Sequence, residues 1–196
     1  MKALLTAGLL GAGLAVPSHA AIVSVVEDNG NDVNTSFSGP GVAAIDIAFN
    51  DTNVNSVSSV VANVAIEEGD LGGPLALNGL LDNFGFENFE EIRITLDGAM
   101  FSFNGSVVPA FSNVALVGGA GSQALRIFFD GPGEPYGVEL GDTGFGGTDF
   151  GIDISGLNLG DSFNITYEAV GVPAPAAMGL MLLGLGGLAA ARRRKA

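Results

Sequence analysis

The chain has 196 residues, a formal charge of −14 and no cysteine. Without cysteine there can be no disulfide framework, no thiolate nucleophile and no thiolate metal site. The only histidine is His19 and the only lysines are Lys2 and Lys195, so three of the usual catalytic residue types are missing from the middle of the chain.

Residues 1–20 have the layout of a secretory signal peptide. Lys2 is the charged start, residues 3–16 are apolar, and Pro17 breaks the helix before the small-residue site Ser18-His19-Ala20. Cleavage is expected between Ala20 and Ala21. His19 would leave with that peptide, and Ser-His-Asp chemistry, histidine-ligated zinc and lysine Schiff bases would be excluded together. A hydrolase working with two carboxylates remains formally open. No spacing marks out such a pair, and there is no tryptophan to stack a sugar ring. The expected protein is not an enzyme.

The following stretch, residues 21–171, is long enough for one domain with its own core. All 21 Asp and Glu residues lie between Glu27 and Glu168, opposed there only by Arg93 and Arg126, which leaves a charge near −19. Such a surface cannot neutralise phosphates, which excludes nucleic acid as a partner.

Period-two alternation runs through this stretch and predicts an all-β domain. Residues 21–27 (AIVSVVE) open it as a β-branched strand. Residues 42–50 set Ile45, Ile47 and Phe49 against Asp46 and Ala48, and residues 57–67 turn Val60, Ala62, Val64 and Ile66 inward. Residues 69–88 are the least strand-like: PLALNGLLD at 74–82 reads as a helical turn or loop, followed by Phe84, Phe86 and Phe89. Residues 92–104 predict a β-hairpin about a type I′ turn at Asp97-Gly98. In it Leu96, Ile94 and Ile92 face Ala99, Phe101 and Phe103. Further strands are expected at 112–117, 123–130 (Leu125, Ile127 and Phe129 inward), 137–140 and 149–155. The last strand, 162–170, puts Phe163, Ile165, Tyr167 and Ala169 on one face. Roughly ten short strands separated by Gly- and Asp-rich turns read as an antiparallel β-sandwich, jelly-roll-like.

Two loops combine carboxylates and amides of the kind calcium takes: 28–32 with Asp28 and Asp32, and 141–149 with Asp142 and Asp149. Neither has EF-hand spacing, and Asp, Asn and Gly are also ordinary turn residues. Arg93 and Arg126, on polar strand faces, are expected to pair with neighbouring carboxylates.

The last 25 residues, 172–196, have three parts. Val172-Pro173-Ala174-Pro175 is stiff and extended, because each proline fixes its own φ and restricts the residue before it. Residues 176–191 are uncharged and helix-permissive, with four glycines. As a helix they would span about 24 Å, short of the roughly 30 Å hydrocarbon core, which makes a marginal transmembrane helix. Arg192, Arg193, Arg194 and Lys195 form a basic block that stays cytoplasmic by the positive-inside rule. This tail resembles the PEP-CTERM sorting signal of Gram-negative bacteria, although the family most often has Glu where this chain has Ala174. The resemblance implies export across the inner membrane, transient anchoring there and removal of the tail by an exosortase-type sorting protease. It further implies a destination at the cell surface or in the matrix alongside exopolysaccharide. A carbohydrate- or calcium-binding module is the alternative for residues 21–171.

Overall fold

The alternating segments form short strands that stack as two sheets over one core. The computed structural model describes residues 21–50, 57–83, 89–109, 113–130, 137–144 and 146–171. Ala20, Val172, Pro173, Ala174, Pro175 and the basic block from Arg192 to Lys195 lie outside them, as do Phe84 and Phe86. Among the described residues no helix is long and apolar enough to cross a membrane.

The first sheet has six antiparallel strands. They are β1 (Ile22–Glu27), β5 (Val57–Ala65), β14 (Ser162–Gly171), β7 (Phe89–Asp97), β11 (Ala124–Asp130) and β10 (Asn113–Gly118), in that spatial order. The long central strand β14 pairs with β5 from Ser162↔Ala65 to Val170↔Val57, and with β7 on its other side. The predicted alternation holds here: Val60, Ala62, Val64, Phe163, Ile165, Tyr167 and Ala169 are buried. Leu125 and Ile127 are buried as well, while Phe129 is only half-buried.

The second sheet is less regular. Its axis is β6 (Leu75–Asn83), which the sequence reads as its least strand-like stretch. Asn78-Gly79 looks like a turn and the leucines look helical, yet Leu75, Leu77 and Leu81 alternate into the core. Tertiary pairing overrides local propensity here. The first half of β6 lies between β3 (Val42–Ala44) and β13 (Phe150–Asp153). Its second half lies between β4 (Asp46–Phe49) and β12 (Gly137–Leu140). β3 and β4 run parallel to β6, so the sheet is mixed, and the strand expected over 42–50 is interrupted at Ile45. β2 (Asp32–Asn34) joins β4, β9 (Val107–Pro109) joins β12, and β8 (Met100–Phe103) joins β13.

The hairpin expected over 92–104 does not form. Both edges of β7 are already taken, by β14 and β11, and the chain crosses at Gly98 into the second sheet, where β8 pairs with β13. Gly98 has φ +97°, a conformation that only glycine adopts cheaply. Because both sheets face one core, crossing over buries Ile92, Ile94, Leu96, Ala99 and Phe101 just as a hairpin would. Phe101 meets Phe150 edge-on, with ring centroids 6.3 Å apart, but Phe103 is left exposed beside Gly151.

Between β5 and β6, Asp70 ties a short 3-10 turn (Glu68–Asp70) to the rest of the fold. Its buried carboxylate accepts hydrogen bonds from the Glu67 and Gly41 amides, at 2.8 and 2.7 Å.

Candidate functional site

The interruption at Ile45 shapes the outer face of the second sheet. Ile45 donates its N–H to the Asn78 carbonyl at 3.0 Å. The next N–H on that edge of β6, that of Leu80, is donated to the Asp46 carboxylate at 2.9 Å. Gly79 sits so close to Ile45 that a Cβ there would lie 2.0 Å from its carbonyl oxygen. Glycine is required at this position, and Asp46 is held at the middle of the face.

The 141–149 loop leaves the sheet at the same level, between β12 and β13. The Asp149 carboxylate accepts from the Asp142 amide at 2.7 Å and from the Asn78 side chain at 3.1 Å. Asp142 in turn accepts from the Gly144 and Gly146 amides, at 2.9 and 3.0 Å.

Together these elements enclose a cleft of about 370 Å³. Val42, Ala44 and Leu80 form its apolar part, with Phe37 from the β2–β3 connection at its edge. Phe37 is 70% exposed, an unusual place to leave an aromatic ring. Asp46, Asn78, Glu139, Asp142 and Thr143 supply the polar part. A hollow of about 240 Å³ adjoins it, lined by Asp32, Asp46 and Asp82 among others. Partial burial, and then the nearby Asp46 charge, raise the Asp82 pKa above the ordinary carboxylate value.

The opposite face carries both cations of the described domain. Glu91, almost fully buried, receives two hydrogen bonds from Arg93, at 2.9 and 3.0 Å, and another from Arg126. Hydrogen bonding by Arg126, then by Arg93, holds the Glu91 carboxyl well below its usual range, at about 2. Arg93 also approaches Glu168 at 3.8 Å, and Arg126 stacks over the Phe128 ring at 4.7 Å. The expected pairing of the arginines with neighbouring carboxylates is present. In the core between the faces, the Tyr167 hydroxyl has no hydrogen-bond partner among the described residues. Burial, and then Asp46, raise its pKa.

The four expected calcium candidates split into two separate loops. Asp28 accepts from the Gly30 amide at 2.9 Å and Asp32 from the Asn50 side chain at 3.3 Å, so both order the β1–β2 turn and its neighbour. Asp142 and Asp149 do the same for the 141–149 loop. Among the described residues no group of three or more acidic, histidine or cysteine side chains could hold a metal ion. Sequence reasoning missed Phe37, Asp46 and Glu139. Asp46 looked like one polar residue of an alternating strand, and only the fold brings it beside the other two. Comparison with protein-family models, curated proteins and solved structures finds no match.

Proposed function

We propose that this chain is an exported, non-enzymatic surface or matrix protein whose acidic β-sandwich is delivered through its PEP-CTERM-like tail. The observation that carries the reading is the placing of the two sheets. They occupy residues 21–171, between a segment with signal-peptide layout and a tail of proline motif, apolar run and basic block. In this reading the sandwich is jelly-roll-like, and residues 176–191 form a transient helix in the inner membrane. An exosortase-type protease then cuts near Pro173 to Pro175, and the acidic domain stays with exopolysaccharide at the cell surface. Intact-mass measurement of the protein released by the native cell tests this. A species that begins at Ala21 and ends near Pro173 is expected. A mass that still includes Met178 to Lys195 would leave a permanent anchor instead.

The cleft favours a second reading, in which the delivered domain is a binding module. An exposed phenylalanine and several carboxylates lining one cleft are what a ligand site on a sheet face offers. Fold class alone does not say which ligand.

A further inference from the structure

We infer that the cleft between β4, β6 and the 141–149 loop binds an organic ammonium group attached to a small apolar body. The inference rests on the binding-module reading and names the ligand chemistry of the same site. Three features converge on it. The cleft is largely apolar, with Val42, Ala44 and Leu80 in its wall, and so would desolvate a carbon skeleton rather than a bare hydrated ion. Phe37 lines it and is 70% exposed, which leaves its ring available for cation–π contact. Asp46 and Glu139 line the cleft, with Asp142, whose carboxylate holds the loop amides, beside them; among the described residues no cation lines it, and both arginines are engaged with Glu91 on the other sheet.

Thr143 also lines the cleft, while its Oγ1 is buried and has no hydrogen-bond partner among the described residues. An ammonium brings three N–H donors to a wall of acceptors, and its alkyl or ring portion covers Leu80 and Phe37. A neutral polyol would bring no charge to the Asp46 and Glu139 carboxylates, which disfavours it.

Binding is tested on the full chain at fixed ionic strength, by calorimetric titration and by NMR shifts of the Phe37 ring. The probes are n-butylammonium, its neutral isostere n-butanol, and glucose. Saturable binding of n-butylammonium is expected, with both neutral probes weaker by about ten-fold. Phe37→Ala should weaken it about three-fold and Glu139→Gln about five-fold. Glu68→Gln, an exposed acid outside the cleft lining, should leave it unchanged. Both cleft side chains lie outside the core, so unchanged thermal midpoints confirm that these variants fold. Equal binding of butanol or glucose, with the same dependence on Phe37, overturns the ammonium inference and keeps the binding module. Equal loss from Glu68→Gln and Glu139→Gln reduces the effect to the general field of an acidic domain and overturns the site. If no probe moves the Phe37 signals, both readings fall.

Discussion

The two sheets of this protein solve the same problem by different means. The first is a ladder of antiparallel strands with register slips near two strand ends, and its outer face neutralises its own charge through Glu91, Arg93, Arg126 and Glu168. The second is mixed, broken at Ile45 and joined by short strands, and its outer face gathers carboxylates with no cation among the described residues lining its clefts. Regular pairing consumes the backbone and leaves a flat surface. Interrupted pairing brings a side chain, Asp46, into the ladder in place of a carbonyl and opens a cleft beside it. The irregular sheet is therefore the one that carries this cleft, and it depends on single residues more heavily than the regular one.

The largest expected effect tests that dependence. Gly79→Ala puts a methyl group 2.0 Å from the Ile45 carbonyl, a backbone atom with no rotamer to escape into. We expect a loss of about 3 kcal/mol or more in chemical denaturation, and loss of the cleft as β4 is pushed off β6. Gly72→Ala, where a Cβ meets nothing within 4 Å, should change stability by less than about 0.5 kcal/mol. Similar losses at the two glycines would mean that the close approach at Ile45 is unimportant.

The next effect belongs to the first sheet. Glu91→Gln removes a buried charge that two guanidinium groups share, at an expected cost of roughly 2 kcal/mol at neutral pH, discounted because both arginines are partly exposed. The pH dependence has a definite sign. The folded pKa lies below the unfolded one, so the contribution is complete above about 4.5 and is lost as pH falls towards about 2. The gap between wild type and Glu91→Gln in denaturation midpoint should therefore close over that window. A gap that persists at pH 2 would show that the loss comes from packing rather than ionisation.

The sheets also differ in how far their sequences reveal them. In β5 and β14 burial alternates residue by residue, and the larger apolar side chains Val60, Val64, Phe163, Ile165 and Tyr167 name the buried phase, which a one-residue slip would turn to water. The second sheet hides its axis, because Asn78-Gly79 is needed for a close backbone approach and happens to spell a turn. Alternation also cannot tell a hairpin from a crossing between sheets, and residues 92–103 satisfy both. Only knowing that both edges of β7 are occupied decides between them. The cleft was illegible for the same reason: Glu139 is far from Phe37 and Asp46 in the chain, and the three line one cleft only because β4 and β12 both pair with β6. Asp142 was visible as a carboxylate in a glycine-rich loop, but what that carboxylate does there is to hold the loop's own amides.

The smallest effect concerns the unneutralised charge of the second sheet. Asp82 lies half-buried near Asp46, and its pKa is raised by burial first and by that neighbour second. A carboxylate with a raised folded pKa opposes folding when ionised. Its penalty is present above the raised value and vanishes below the unfolded value of about 4. Asp82→Asn keeps the shape and removes the charge, so it should stabilise the domain by about 0.5 kcal/mol at pH 7 and by nothing measurable at pH 3. Added sodium chloride should shrink the gain, because Asp46 repulsion is screened while burial is not. The mirror variant on the first sheet, Glu168→Gln, should bring no such gain, since Arg93 already stands 3.8 Å from that carboxylate. Equal gains from both substitutions would attribute them to total charge. A gain confined to Asp82 would tie it to the face where carboxylates gather without a cation, and there an ammonium ligand should reproduce part of it in the wild-type chain.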